Sequence, residues 1–232
     1  APFEKYIHRY GVIPDNSPII FTNNSSTFSL VKSLIDLGCK PQAYVDAREK
    51  KQIEKKTLDL LDTHNIPTYI KSEIEGCDGK NKVEEVSIRT KKNNITKIKT
   101  SMLCVSGGLN PDIHLFTQSR GLIKWDSTQL VFKPNGSFQN TITLGSVSGN
   151  FSYKKISEEV NKKLNFLEET KNLEVKLDIN EFEKFNIKEL WETRRAKKSL
   201  WSKSFADLQN DVTTMDLKQA VLEGFDRIEH LK

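Results

Sequence analysis

Cysteine is scarce in this chain, and its three copies, Cys39, Cys77 and Cys104, stand far apart with no CxxC pair. Such a set excludes a disulfide framework and a structural zinc site of the usual spacing, and fits a reducing, cytoplasmic setting. Histidine is equally sparse: His8, His64, His114 and His230 share no ligand spacing. No apolar run approaches the ~20 residues of a membrane-spanning helix. The opening residues 1–11 have neither the apolar centre of a signal peptide nor the acid-poor character of a transit peptide. No GxSxG elbow or recognisable nucleophilic-cysteine motif occurs, so a nucleophilic triad is not expected.

Charge is abundant and mixed. The 232 residues hold 36 Lys and Arg against 31 Asp and Glu, a net +5, with a hydrophobic fraction of only 36%. Acids interrupt the basic runs, as in Glu49-Lys50-Lys51 and Glu54-Lys55-Lys56. Interleaved signs make a solvated helical face, whereas nucleic-acid binding needs a coherent basic stripe, so no nucleic-acid partner is expected.

The apolar residues are ordered. Phe3 to Tyr10 reads as a helix stopped by Gly11. Ile19-Ile20-Phe21 is a short β-type run that ends in Thr22-Asn23-Asn24-Ser25-Ser26. Helical spacing follows through Phe28, Leu30, Val31, Leu34 and Leu37 to a stop at Gly38. Ala43-Tyr44-Val45, a helix through Ile53, Leu58 and Leu61, and Thr68-Tyr69-Ile70 complete a β-α-β-α-β order. That order predicts a parallel sheet with crossover helices, half of a Rossmann-like domain. Beyond it, Val83–Ile88 and Ile95–Ile98, separated by Lys91-Lys92-Asn93-Asn94, predict a β-hairpin. Met102–Val105 reads as a buried strand, and Leu130–Phe132 and Ile142–Leu144 as two more. Ile156, Val160, Leu164 and Leu167 predict an amphipathic helix. Residues 171–200 are acid/base mixed and poorly periodic, and read as a linker or an irregular, partner-dependent stretch. Thr213 with Asp216 resembles a capping box ahead of a last helix whose apolar stripe is Leu217, Val221, Ile228 and Leu231. Trp125, Trp191 and Trp201 suit packing or interface roles.

The first candidate for chemistry is the strand-to-helix turn. A dinucleotide domain places glycines there so that backbone can approach a pyrophosphate at the helix N-terminus. Here Asn23 and Asn24 stand in their place. Asn tolerates the left-handed conformation and Ser25 or Ser26 can cap the helix, so the turn forms without glycine. Its side chains nevertheless fill space that a phosphate needs, which favours a Rossmann-shaped module without nucleotide. Asp46 and Arg48 end the second strand, where an acid would hold ribose hydroxyls or an arginine a 2′-phosphate. The second candidate is a pair of small-residue turns, Ser106–Pro111 and Gly145-Ser146-Val147-Ser148-Gly149, each following a β-type run.

Taken in order, several blocks resemble the alpha subunit of heterotetrameric sarcosine oxidase. They are Tyr6–Val12, Ile19–Asn24, Val45–Arg48, Val105–Pro111, His114–Ser119, Lys124–Asp126, Phe205–Thr213 and Glu223–His230. The resemblance implies a piece of a large flavoprotein-like subunit, without its upstream Gly-rich finger and its later folate-binding domain. It implies an α/β architecture in three parts. Residues 1–101 would be a Rossmann-like, inserted nucleotide-binding domain, and 102–170 the return into a first dinucleotide-binding domain. Residues 171–232 would be a linker and the helical start of the next module. The family oxidises sarcosine to glycine, with oxygen giving hydrogen peroxide and tetrahydrofolate capturing the one-carbon unit. NAD belongs to alpha, FMN lies between alpha and beta, FAD is on beta, and gamma and delta complete the assembly. Carried onto this chain, NAD contacts fall on Gly145, Ser146 and Ser148, with Asn23, Asn24 and Asp46 as the positions of the first turn and strand end. The chain alone is expected to be inactive, the alternative being a nucleotide-free scaffold.

Overall fold

Two strands that are non-alternating up to a polar last residue, Ile19–Thr22 (β1) and Ala43–Asp46 (β2), are buried at every residue. A strand covered on both faces is apolar on both, which explains why Ile19–Phe21 and Ala43–Val45 do not alternate. In the computed structural model, which describes residues 2–13, 17–139, 141–164, 186–193, 204–225 and 227, β1 pairs in parallel with β2, Ile19 facing Ala43 and Thr22 facing Asp46. Thr68–Ile70 (β3) joins the far side of β2, and Leu103–Ser106 (β7) the far side of β1, giving the order β3-β2-β1-β7. The mixed α/β, Rossmann-type class expected from the sequence is present.

Alternate residues of the central strands serve different layers. Ile20 and Tyr44 pack with Leu30, Val31 and Leu34 of the helix Phe28–Asp36 (α2), with Leu61 of Lys55–Thr63 (α3), and with Ile7 of Pro2–Tyr10 (α1). Ile19, Phe21, Ala43 and Val45 face the other way, onto Ile74, Val86 and Ile88. Those three belong to an antiparallel sheet of Glu73–Asp78 (β4), Glu85–Arg89 (β5) and Ile95–Lys99 (β6). Helices thus cover one face of the parallel sheet and a small second sheet the other. Gly38 and Asn65, at φ 74° and 50°, turn the chain out of α2 and α3 in the left-handed conformation that ends helices.

The hairpin expected at 83–98 is found as β5–β6, with Val83 outside the strand. Its partner β4 was not anticipated. Met102–Val105, read as buried, is instead half-covered: β7 is an edge strand and Val105 is 64% exposed. The strand that completes the first sheet therefore comes from beyond residue 101.

After β7 the chain forms a short helix, His114–Gln118 (α4), and a hairpin of Ile123–Asp126 (β8) with Val131–Pro134 (β9). Trp125 meets Phe132 edge-on across that hairpin at 5.0 Å and lies 6.3 Å from Trp191. Residues 142–144 form no strand; they lead directly into the 3-10 turn Gly145–Ser148, and Tyr153–Leu164 (α5) follows. Leu167 and most of 171–200 lie outside the described residues.

The chain divides into two compact units, Ala1–Trp191 and Glu192–Lys232. In the second, Phe205–Asp207 (β10) pairs with Val212–Thr213 (β11) ahead of the helix Thr214–Leu222 (α6). The expected capping box is present: Thr213 Oγ1 accepts from the Asp216 N–H at 3.2 Å, and the Asp216 carboxylate accepts from the Thr213 N–H at 2.8 Å. The expected stripe is weaker than its sequence implies, since Val221 is exposed; Ile228, Leu231 and Trp201 lie outside the described residues.

Candidate functional site

In open parallel sheets, ligands bind at the carboxyl ends of the strands. Here that end is formed by Asn23-Asn24 after β1, Asp46–Arg48 at the end of β2, and Ser106-Gly107-Gly108 after β7. A hollow of about 790 Å³ opens instead at the amino ends, beside Ser17, Gln42 and Ser101. That is the opposite edge of the sheet from the one where ligands of this fold bind.

The turn after β1 contains no left-handed residue, contrary to the role expected of its asparagines: Asn24 is extended, at φ −148°. Its carboxamide is fully buried and works on both sides. The oxygen accepts from the Ser26 N–H at 2.9 Å, capping the 3-10 turn Ser25–Thr27, while the nitrogen donates to the Ser106 carbonyl at 3.0 Å and to Asn23 Oδ1 at 2.9 Å. Asn24 caps this 3-10 turn, and α2 behind it starts from Thr27 with no side-chain cap bond, so neither Ser25 nor Ser26 is the cap. Asparagine replaces glycine here because it ties the end of β1 to the end of β7.

Asp46 and Arg48 are spent on each other. The Arg48 side chain donates from Nε to Oδ1 at 3.0 Å and from Nη2 to Oδ2 at 2.8 Å, and the Arg48 N–H donates to Oδ1 at 2.8 Å. Their side chains are 0% and 1% exposed. A bidentate pair this deep satisfies the carboxylate and leaves it no lone pair aimed outward for a ribose. Tyr44 lies beneath, its hydroxyl 3.1 Å from Thr27 Oγ1; burial, and then the Asp46 charge, push its pKa above the ordinary tyrosine range.

Across this crevice runs the segment 186–190. The Ser25 N–H donates to the Asn186 carbonyl at 3.1 Å, the Lys188 N–H to the Asn23 carbonyl at 2.8 Å, and Asn23 Nδ2 to the Lys188 carbonyl at 2.8 Å. Arg48 Nη1 also reaches the Asn186 carbonyl, at 3.0 Å, and Lys188 Nζ donates to the Ala47 carbonyl at 2.8 Å. The donors that a pyrophosphate would use are therefore taken, and the residues present do not fit a nucleotide phosphate at this turn. Between the segment and the Gly107–Asn110 loop a cavity of about 340 Å³ remains, bordered by Asn23, Ile187, Leu190 and Trp191.

The second turn differs. Gly145 is buried at φ 69°, a conformation that favours glycine. The Ser148 hydroxyl is buried with no hydrogen-bond partner among the described residues, while Ser146 is exposed. An orphaned hydroxyl beside a glycine turn fits a polar ligand group. The Gly145 N–H and Asn150 Nδ2 donate to Glu159 Oε2 of α5, at 3.1 and 2.7 Å. Burial opposes ionisation of Glu159, but hydrogen bonds from Asn150, the Gly145 N–H and Lys163 outweigh it and hold the carboxyl below its ordinary value.

A carboxyl with a lowered folded pKa contributes stability above the unfolded value of about 4.3, and that contribution is lost as the pH falls toward the lower folded value. Below about pH 4.3 the native chain is therefore expected to lose thermal stability more steeply than Glu159→Gln. Parallel pH profiles in thermal denaturation would show that the carboxylate does not anchor the turn.

The structure brings Asn23, Asn24 and Asp46 together at one sheet edge and holds Gly145, Ser146 and Ser148 on a separate turn against α5. Residues 186–190, the site's main occupant, fall in the stretch whose sequence reads only as a linker or an irregular, partner-dependent segment. Among the described residues no group of three His, Cys, Asp or Glu side chains is placed to hold a metal, and no helix is long and apolar enough to cross a membrane. Burial pushes the Cys104 thiol up to about 11 and raises Cys39 and Cys77, opposite to what a nucleophile requires.

The family and the sequence relatives that this chain is similar to carry one name. The sarcosine oxidase A3 domain family matches residues 201–232. Sarcosine oxidase subunit alpha of Rhizobium meliloti (strain 1021) is 25% identical over 233 residues, 98% of this chain and 22% of that protein. The subunit alpha of Corynebacterium sp. (strain U-96) is 26% identical over 151 residues, 62% of this chain and 15% of its own length. Among solved structures, T. acidophilum thioredoxin reductase aligns at 15% identity and a TM-score of 0.39, over 56% of this chain and 47% of that one. The resemblance read in the residues is borne out: this chain is similar to sarcosine oxidase alpha subunits along almost its whole length, and it spans about a fifth of theirs.

Proposed function

We propose that this chain is a non-catalytic, cofactor-holding component of a sarcosine-oxidase-type oxidoreductase. The observation that carries this reading is the similarity to the alpha subunits over 98% of the chain. The chemistry of the described residues agrees with it. The buried carboxylate and guanidinium at the sheet edge neutralise each other, and the thiols are held protonated. The reacting groups for sarcosine would then lie on other segments or subunits.

NAD is assigned to the turn Gly145, Ser146 and Ser148, where the Ser148 hydroxyl is buried with no hydrogen-bond partner among the described residues and Gly145 holds the left-handed backbone of the turn. When bound, a nicotinamide nucleotide supplies hydride chemistry; this chain would supply the Ser148 hydroxyl that orients it. Asn23, Asn24 and Asp46 hold the neighbouring module in shape. In the whole assembly, with beta, gamma and delta subunits in the cytoplasm, FAD on beta and FMN between alpha and beta would serve sarcosine oxidation. Oxygen would be reduced to hydrogen peroxide, with tetrahydrofolate on a later domain of alpha taking the one-carbon unit. A second reading, a Rossmann-shaped scaffold without nucleotide, is favoured for residues 1–106 alone by the filled crevice.

Two variants of the native assembly test the NAD assignment. Gly145→Val forces a branched side chain onto a left-handed backbone, and Ser148→Ala removes the orphan hydroxyl without strain. Both are expected to reduce NAD released on denaturation, the first to near zero and the second several-fold. Unchanged NAD content in both would remove the cofactor from this turn. Sarcosine-dependent oxygen uptake by the purified assembly tests the wider reading; an assembly with neither uptake nor flavin would refute it.

A further inference from the structure

We propose that the carboxyl-end crevice of the parallel sheet is a receptor for the chain's own residues 186–190, whose backbone stands in for a ligand and closes the module to nucleotides. In a dinucleotide module, the N–H groups at the helix start and the polar groups at the second strand end converge on phosphate and ribose. Here the same positions converge on peptide. The Ser25 N–H, Asn23 Nδ2 and Arg48 Nη1 point at two carbonyl oxygens, of Asn186 and Lys188, at 2.8–3.1 Å.

The docking follows the geometry of strand addition. Asn24 and Ile187 form an isolated antiparallel bridge, so the segment adds one β-type pair to the end of β1. Main-chain bonds fix its register, and two side chains fix which sequence sits there. Lys188 extends to the Ala47 carbonyl, just past the end of β2, at 2.8 Å. Leu190 packs on the apolar layer that holds Phe21, Val45 and Ile74. The ligand class of this crevice is thus an extended peptide carrying Lys and, two residues later, a large apolar side chain.

The crevice is also built against an anion. Its guanidinium is already neutralised by Asp46, so a phosphate would have to break a buried ion pair as well as displace the segment. Asn24, which a nucleotide turn would replace by glycine, instead holds the β1–β7 junction that the segment covers. The inference is independent of the sarcosine oxidase reading and stands if that reading fails.

Hydrogen–deuterium exchange of the full chain, read on peptides covering 22–26 and 186–190, tests it, with NAD as the probe. Both peptides are expected to exchange slowly, and saturating NAD is expected to leave both unchanged. Lys188→Ala removes one side-chain bond of the segment without touching the core and should speed exchange of 186–190 about five-fold, the effect of one net hydrogen bond. Asn23→Ala, which deletes the donor to the Lys188 carbonyl, should do the same while the β4–β6 peptides hold their rates. Exchange of 186–190 at the rate of an unstructured peptide in the native chain overturns the proposal. So does NAD that slows 22–26 while releasing 186–190, or an unchanged rate in both variants.

Discussion

Replacing Arg48 by methionine is expected to lower the unfolding free energy by about 3–5 kcal/mol, the range found when one partner of a buried ion pair is removed. The Asp46 carboxylate would remain in place, fully buried, with the Arg48 N–H at 2.8 Å and the Tyr44 hydroxyl at 3.4 Å as its remaining donors. An ion without its counter-ion in that position loses more than the pair ever contributed. The double variant Asp46→Leu with Arg48→Met is therefore expected to unfold closer to wild type than Arg48→Met alone. Urea titration measures both. A single variant within about 1 kcal/mol of wild type would show that water reaches the carboxylate.

The second large effect is expected at Ile20→Ala, with a loss of about 2–5 kcal/mol. Ile20 is wholly buried, on the central strand, and fills the layer between the sheet and α2. Truncation leaves a void that Leu34 and Tyr44 cannot close, because the hydrogen bonds of the sheet fix β1 on both sides. Leu115→Ala is the internal control: its side chain is 82% exposed, and a change within about 0.5 kcal/mol is expected. Equal losses at the two positions in the same titration would contradict the layer arrangement.

What could be read from sequence followed from what each element asks of its own residues. β1 and β2 are covered on both sides and therefore appear as unbroken apolar runs, and α2 advertises its length through apolar spacing and Gly38. β4 hides because it breaks the rules it would be recognised by. Its pairing shifts register between Ile74 and Gly76, and it buries Glu75 against Arg89, fourteen residues away, at 2.8 Å. Residues 142–144 have β-type side chains but no partner strand, so local preference goes unused. At the site, the missing glycines are legible in the sequence, and the Asn24 side chain lies buried in the turn where they would stand. The reason is not legible, since Asn24 answers to Ser106, on a strand 82 residues later. Residues 186–190 left almost no signal, because what the crevice reads in them is chiefly carbonyl oxygen, which every residue possesses.

The span between the crevice and its occupant sets an order of events during synthesis. Ser25 and Asn186 are 161 residues apart. At 5–20 residues per second, a ribosome needs about 8–30 s to extend the chain from one to the other. The sheet itself can close once β7 has been made, so for much of that interval a nascent module would exist with its crevice complete and still empty. Any small anion or chaperone peptide that engages this edge would meet it then, on the ribosome, and would have to leave before the finished protein could seal itself.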